Sequence, residues 1–416
     1  MKKLLIITFI ILSTAHFSNA QSIMSIDSIL SVIEKNNPVV QMYNADIRSM
    51  DEAAKGARSW MPPELGTGLF MTPYNPSLWK KSPDGAKGMG QYMISVQQMI
   101  PNKKELDANE TYMEAQSSVS KESKLSSLNE LYAAAKKSYY DWLIDEKKLN
   151  VLDDNDKLLN FMIQSAELRY KNNLGKLNAY YKVKAAIGKV ENQRTIIQNE
   201  INQQRIMLNT LMNRDKSTGF SIDTTYNFKK YESVDSSYFI NARSDIKAID
   251  KNIDLTYLQQ NLERAKLKPQ FGVRYDHAFG FGGGPMQYTL MAMIKLPIAN
   301  WSSKSYKANI ESLKWKEQSY EAQKQMIIND ASGEADGLLA SINSKKKQVL
   351  LFEQNIIPAL QKNFKTLQLG YEQNTEELFE LFDVWETLNM TKLDYLDQIQ
   401  ELLNMQVQMD KILEQK

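Results

Sequence analysis

Few side chains in this sequence suit catalysis or metal binding. Cysteine is absent from the 416 residues, which excludes disulfides, thiol nucleophiles and thiolate metal sites. The only histidines are His16 and His277, so a multi-histidine metal centre has too few ligands, and a catalytic triad would depend on His277 alone. We therefore expect neither an enzyme nor a resident metal or cofactor.

The most distinctive polar segment lies late in the chain. It consists of Tyr371, Glu372, Gln373, Asn374, Thr375, Glu376 and Glu377. Its three glutamates favour cations and can bind countercharges, for which Arg169, Lys171 and Lys176 are candidates. In the alternative interpretation the segment is a solvated loop, in which Thr375 caps the next helix and the glutamates start it.

Methionine is abundant, and Met291 and Met293 fall on the polar face of a predicted strand. Thioether ligands in such positions suit soft cations such as copper(I) and silver(I). Most of the other methionines occupy helical seam positions, where methionine fills gaps in the packing. The pattern leaves a metal role open, and we assign no metal site.

The first 20 residues are typical of a secretory signal. Lys2 and Lys3 precede an apolar run from Leu4 to Leu12, and Ser18-Asn19-Ala20 suits cleavage, so the mature chain is expected to begin near Gln21. No later window approaches the ~20 consecutive apolar residues of a membrane helix. If the mature chain crosses a membrane, it must do so with β-strands closed into a barrel.

The charges are balanced and dispersed. Lys and Arg number 51 against 49 Asp and Glu, a formal net charge of +2, and no basic patch stands out along the chain. The balance argues against a nucleic-acid partner and favours solvated helix faces.

Two very long helices are predicted. From Asn102 to about Leu168 there is no proline or glycine, and apolar residues recur in alternating steps of three and four, as in a coiled coil. A helix of this length extends roughly 100 Å, so we expect an elongated molecule. A second long helix is predicted from about Ser302 to Leu369, with a kink at Pro358. Each is followed by a shorter return helix with its own apolar seam.

The order of hairpin, long helix and return helix occurs twice along the chain. Pro63-Glu64-Leu65-Gly66 returns as Pro269-Gln270-Phe271-Gly272, and the strand-ending Ile100-Pro101 returns as Leu296-Pro297. We therefore predict two tandem structural repeats, about 21–215 and 216–416.

A β-hairpin is predicted in each repeat, at about 64–100 and 270–296, because the hydrophobic period there changes to two. Each strand pairs an apolar face with a polar one. The polar face of the second hairpin holds the residues that would line a barrel lumen, Arg274, Asp276, Gln287, Met291 and Met293. A soluble, half-buried sheet gives the same alternation. Four strands cannot close a membrane barrel, which needs about eight, so a barrel would require several chains.

The order and lengths of these segments resemble those of the TolC-type outer-membrane efflux proteins over essentially the whole mature chain. Asn36-Asn37-Pro38 and Pro63 resemble the family's opening helix and its entry into the barrel, and Arg243-Ser244-Asp245 before Pro269 resembles the second repeat. Arg169-Tyr170 with Leu174-Gly175-Lys176-Leu177, and Ile357-Pro358-Ala359 leading to Gly370-Tyr371, resemble the two helix turns. Asn374 stands where a glycine is common.

The resemblance implies a mainly α protein with a small antiparallel β part. Three chains would form an α-barrel of coiled-coil hairpins in the periplasm and a twelve-stranded β-barrel in the outer membrane. It implies passive exit for substrates that an inner-membrane pump of the RND or ABC type delivers through a periplasmic adaptor. The gate would include the segment 371–377 with Arg169 and Lys176. Leu174, Gly175 and Leu177 would contact the adaptor, unless the leucines simply close the helix hairpin.

Two other classes of envelope protein also contain long helices. An elongated structural or adhesive envelope coiled coil, without transport activity, would carry the same long helices and use the hairpins as caps. A periplasmic adaptor also contains long helical hairpins, but it usually has one hairpin between β-rich domains, which the duplication here argues against.

Overall fold

The computed structural model describes residues 23–172 and 176–416; the expected signal segment 1–20 and the predicted contact residues Leu174 and Gly175 lie outside them. The helices are α1 Ile26–Asn36, α2 Pro38–Ala54, α3 Lys103–Lys171, α4 Leu177–Leu211, α5 Ser236–Ala242, α6 Ser244–Lys266, α7 Asn300–Leu351, α8 Ile357–Glu372 and α9 Leu378–Ile412. The strands are β1 Ile23–Met24, β2 Glu64–Phe70, β3 Gln91–Ile100, β4 Ser221–Ile222, β5 Gln270–Gly280 and β6 Gln287–Lys295. None of the helices in these ranges combines the length and the apolar character needed to cross a membrane.

Both long helices form where the sequence predicts them. α3 runs for 69 residues, and the return helices α4 and α9 are both 35 residues long. The second long helix is interrupted, as expected, near Pro358. A π-helical turn, Phe352–Ile356, separates α7 from α8, and Pro358 lies in the first turn of α8. A proline lacks the N–H for a bond to the preceding turn, and the wider π turn accommodates its ring.

The contacts of the chain divide it into two compact units. One comprises Met1–Val40, Ser127–Asp235 and Ser332–Lys416, and the other comprises Gln41–Ser126 and Ser236–Ala331. Each of the predicted repeats contributes segments to both units, so the division into repeats at about residue 215 stays a prediction.

The first unit is helical and is held together by the predicted apolar seams. Leu152, Leu159 and Met162 of α3 are fully buried against α4 and α9. Their partners are Val183, Val190, Leu381, Phe382 and Trp385. Asn37, between α1 and α2, is buried too: its amide donates to the Leu211 carbonyl at 2.7 Å and its oxygen accepts from the Val39 N–H at 2.9 Å. These bonds explain why asparagine precedes Pro38 in the opening motif.

The second unit contains the four-stranded antiparallel sheet, in the order β2-β3-β5-β6. Both predicted hairpins are confirmed. The register pairs Ile94 with His277 and Tyr275 with Leu290, so apolar residues of neighbouring strands share a face as the alternation predicts. β1 and β4 form a separate two-residue parallel ladder in the helical unit, which was not predicted because two residues are too few to show a period.

Buried charges occur inside the helical unit. Lys136 of α3 binds Asp410 of α9 with an Nζ to Oδ2 distance of 2.7 Å, and the Tyr231 hydroxyl donates to the same carboxylate at 2.8 Å. Asp145, later on α3, is also buried, and its nearest cation is Lys148 at 3.6 Å. Burial raises the pKa of Asp145 to about 7; Lys148 lowers this pKa, while Glu200 and Asp141 raise it further.

The raised pKa of Asp145 predicts pH-dependent stability. The folded state binds this proton more tightly than the unfolded state, so the free energy of unfolding falls as the pH rises from about 4 to about 7. Asp145→Asn mimics the protonated form and should remove this dependence, which raises the melting temperature relative to wild type at pH 8 but not at pH 4. Circular dichroism melts across this range measure the effect. Asp154→Asn, at an exposed position, is the control, and equal pH dependence in wild type and Asp145→Asn would contradict the prediction.

Candidate functional sites

The predicted acidic segment forms the turn between α8 and α9. Asn374 has a φ of 61°, the left-handed conformation that asparagine adopts more readily than most residues. The Thr375 N–H donates to the Gly370 carbonyl at 2.9 Å, and the Asn374 N–H donates to the Tyr371 carbonyl at 3.2 Å. These two bonds form a Schellman motif, which ends α8.

Thr375 does not cap α9, and that part of the alternative interpretation is wrong. Its hydroxyl donates to the Gly370 carbonyl at 3.0 Å, so the Schellman motif uses Thr375 to end the preceding helix. The N-cap of α9 is Glu377, whose side chain makes no capping bond, and the acidic residue in the first turn is Glu380. A Cβ atom at Gly370 would lie 2.5 Å from the Glu376 Cγ, so a larger residue at this position would displace the Glu376 side chain.

Arg169 connects the end of α3 to this turn. Its Nη2 donates to the Tyr371 carbonyl at 3.1 Å and also to the side-chain oxygen of Asn374. The guanidinium carbon lies 4.2 Å from the centroid of the Tyr371 ring, a cation–π distance. The hydroxyls of Tyr371 and Ser165 are 2.5 Å apart. Tyr371 is therefore buried, with 3% of its surface exposed, and serves as the anchor of the turn.

The candidate cations do not neutralise the glutamates within one chain. Arg169 binds neutral acceptors, and Lys171 pairs with Glu167 at 2.7 Å. Lys176 immediately precedes α4, and among the described residues it forms no ion pair with Glu372, Glu376 or Glu377. Ion pairs between copies of the chain stay a prediction.

Glu380 extends the acidic set and was missed in the sequence. A side-chain hydrogen bond with Glu376, together with the charge of that residue, raises the pKa of Glu380. Glu376 and Glu380 are four residues apart, and this spacing is the signal that would have identified the pair.

Lys182 of α4 was missed as well. It forms an ion pair with Asp383 of α9, and its ammonium lies 3.7 Å from the Phe379 ring centroid and 4.6 Å from that of Phe382. This contact fixes the two return helices to each other beside the turn. A lysine and an aspartate 201 residues apart carry no signal in the sequence that they meet.

The five residues predicted to share the polar face of the sheet do lie on one face: Arg274, Asp276, Gln287, Met291 and Met293. The register places Arg274 opposite Met291, Gly272 opposite Met293 and Ala278 opposite Gln287. Asp276 is buried and accepts a bond from Arg274 Nε at 2.9 Å. In the described part of the chain, His, Asp and Glu side chains form no group of three or more that could hold a metal ion.

The opposite face of the sheet is apolar and exposed. Leu290, the neighbour of Met291 in β6, has 67% of its surface exposed. The other exposed apolar side chains of this face include Leu65, Leu69, Phe271, Val273, Tyr275, Tyr288 and Ile294. An apolar surface of this extent on a folded chain indicates contact with an apolar medium or with another protein.

Comparisons with known proteins give a match in structure but not in sequence. No protein-family model and no curated protein sequence matches the chain. The outer-membrane channel OprN superposes with a TM-score of 0.74 at 12% identity, over 94% of this chain and 90% of OprN. The outer membrane protein VceC of Vibrio cholerae gives 0.71 at 15% identity, over 93% and 95%. The outer membrane channel CmeC of Campylobacter jejuni gives 0.72 at 12% identity, over 93% and 85%.

The chain has the TolC-type outer-membrane channel fold. The predicted fold class is thereby confirmed: long helices with 35-residue return helices, and a small antiparallel sheet of four strands.

Arg169 is predicted to stabilise the turn between α8 and α9. Arg169→Ala removes its two hydrogen bonds and its contact with Tyr371, which should lower the free energy of local opening by about 1–2 kcal/mol. Hydrogen exchange of the amides of residues 370–376 measures this change. Lys171→Ala, which removes an exposed ion pair at the same helix end, is the matched control. Equal exchange rates in the two variants would show that Arg169 does not hold the turn.

Proposed function

We propose that the chain is one subunit of a homotrimeric outer-membrane export channel, with its helices in the periplasm. It provides passive exit for substrates that an inner-membrane pump of the RND or ABC type delivers through a periplasmic adaptor. OprN and CmeC are described as outer-membrane channels and share the fold, which supports the proposal. The observation that carries it is the sheet, which has one apolar exposed face, one polar face and two unpaired edges.

The sheet argues for several copies of the chain in one barrel. β2 and β6 are edge strands, and all seven residues of β2 are exposed. Within a bilayer every backbone N–H and C=O requires a partner, so open edges must be paired. Four strands are too few to close a barrel, which needs about eight, whereas three copies supply twelve. The apolar face with Leu290 then contacts lipid, and the polar face with Arg274, Asp276, Gln287, Met291 and Met293 lines the lumen.

The gate of the channel is assigned to the turn between α8 and α9. Glu372, Glu376 and Glu377 form no ion pair within the described chain, and Glu380 adds a fourth carboxylate beside them. Three copies of this set make a dense ring of negative charge, which attracts cations and repels itself. Arg169, Tyr371, Gln373, Asn374 and Thr375 hold the turn in shape, and we assign Lys176 to a contact with the glutamates of a neighbouring copy.

The adaptor contact is assigned to the turn between α3 and α4. Leu177, the first residue of α4, is 40% exposed, and Tyr181 one helical turn later is 59% exposed. Apolar side chains left uncovered beside a turn provide a small docking surface. Leu174 and Gly175 belong to the same turn by sequence, and their part in the contact rests on the sequence alone.

A paired substitution tests the membrane channel against a structural coiled coil. Leu290→Lys places a charge against lipid and should cost ~2–4 kcal/mol of insertion free energy near the bilayer midplane, whereas Thr289→Lys faces the lumen. We expect wild type and Thr289→Lys to require detergent for extraction and to run as heat-modifiable oligomers, with Leu290→Lys depleted from the membrane. Extraction of the wild type by salt would favour the structural coiled coil. Equal insertion of both variants would refute the assigned facing.

The glutamates of the turn are predicted to set the ion preference of the closed channel. Replacing Glu372, Glu376 and Glu377 by alanine removes nine negative charges from a trimer and should lower the preference for cations and change the basal conductance in planar bilayers. A triple variant with the same change in net charge on α7, at the exposed Glu311, Glu321 and Glu334, is the control. If both variants conduct like wild type, the turn is not the gate.

A further inference from the structure

The edge strands β2 and β6 carry complementary features on the same face of the sheet. On β2 this face holds Glu64, Gly66 and Gly68, which the register places beside Gln97, Ser95 and Met93 of β3. On β6 it holds Met291, Met293 and Lys295. Glu64 begins β2, and Lys295 ends β6. Both are exposed, and neither forms an ion pair among the described residues.

Gly68 has no steric explanation within its own chain. A Cβ atom at this position would have no heavy atom within 4 Å, whereas one at Gly66 would lie 2.7 Å from the Ser95 hydroxyl. Glycine inside a strand weakens it, and it often marks a place where another group approaches closely. No described residue of the chain is such a group, and a neighbouring copy can supply it.

We propose that β2 pairs antiparallel with β6 of a neighbouring copy in one defined register, with Glu64 opposite Lys295, Gly66 opposite Met293 and Gly68 opposite Met291. This inference rests on the proposed trimeric channel and specifies how its copies join. Antiparallel pairing brings the start of one strand to the end of the other, which is where the two opposite charges lie.

Side-chain size agrees with this register on both faces. On the polar face Met291 meets Gly68, which leaves room for its side chain, whereas Met293 extends over Gly272 of its own chain and Gly66 accommodates Ser95. On the apolar face Leu65 meets Ile294, Thr67 meets Ala292 and Leu69 meets Leu290, so the apolar band continues across the seam. A shift by one residue would place the methionines beside the apolar residues of β2, so neither face would continue across the seam.

The register also gives a barrel of ordinary tilt. Within one copy, Glu64 pairs with Gln97, Gln97 with Arg274, and Arg274 with Met291. Because Met291 then meets Gly68 of the next copy, each copy advances the strand by four residues. With a rise of ~3.3 Å and a strand spacing of ~4.8 Å, three copies have a tilt of about 35°. Registers shifted by two residues give about 19° or about 46°; the first is well outside the usual ~35–45° and the second is at its upper limit, so the tilt excludes only the first.

Cysteine cross-linking tests the register, and the chain has no cysteine of its own to interfere. We expect Gly68→Cys with Met291→Cys to form covalent dimers and trimers upon oxidation, because both side chains face the aqueous lumen. Gly68→Cys with Thr289→Cys and with Met293→Cys are matched controls for the two shifted registers. β2 and β6 lie at opposite edges of one sheet, so a link within a single chain is not expected.

Charge reversal gives an independent readout. Glu64→Lys alone, or Lys295→Glu alone, places like charges opposite each other and should lower the temperature at which the oligomer dissociates, and the double swap should restore it. Preferential cross-linking of Gly68→Cys to position 289 or 293 would overturn the register. A heat-resistant trimer with no link in any of the three pairs, and no rescue by the swap, would overturn the β2–β6 seam. A wild-type chain that forms no oligomer would overturn the proposed function itself.

Discussion

The unpaired backbone edges of β2 and β6 are the constraint on which the sheet depends. Among the described residues, β3 and β5 each have a hydrogen-bonded strand on both sides, whereas β2 and β6 each have one. In an apolar medium each unmet N–H or C=O costs several kcal/mol, roughly as much as the largest single contacts of the fold. The faces of the sheet follow from the same pairing, because the register that exposes Leu290 also places Met291 opposite Arg274. The pairing of the edges and the polarity of the faces therefore depend on the same register, and the proposed pairing with a second copy would satisfy both.

The helical unit has a related problem of register. A 69-residue helix with an evenly repeated apolar seam has several alignments of similar energy against a 35-residue partner. Buried polar pairs distinguish them. Lys136 meets Asp410 near one end of the α3–α9 contact, and Asn155 donates to Asn389 further along it, where the Trp385 indole also binds Asn155. A shifted alignment would leave these groups buried without partners, a loss of roughly 3–5 kcal/mol for a charged pair. Such pairs stabilise one alignment over the others rather than the fold as a whole.

Period and length were sufficient to predict most of the architecture. The seam of α3, the interruption at Pro358 and the two faces of β5 each follow from spacing along one segment. The pairing of β1 with β4 could not be predicted, because two-residue strands have no period. At the turn, the left-handed conformation of Asn374 agrees with its place at a position where glycine is common. The role of Thr375 could not be predicted, since threonine suits the end of one helix or the start of the next and only the hydrogen bonds decide between them. Contacts between distant segments, such as Lys182 with Asp383, depend on how the helices align, and no local pattern encodes them.

In the turn between α8 and α9, the residues that hold the backbone in shape are different from the residues that carry the charge. Its shape depends on backbone bonds to Gly370 and Tyr371, on the buried Tyr371 ring and on Arg169, whose acceptors are neutral. None of these contacts uses a carboxylate. Glu372 accepts a bond from Gln368 on its own helix, at 3.2 Å, and Glu376 interacts with Glu380. The charges are therefore free to respond to ions, to a neighbouring copy or to a partner protein without unfolding the turn. In the proposed trimer, like charges brought together by the threefold axis would repel, so closing the ring would require either bound cations or positive groups from outside the turn. The proposed gate would therefore be closed by the groups it binds, while the turn that carries it keeps its shape.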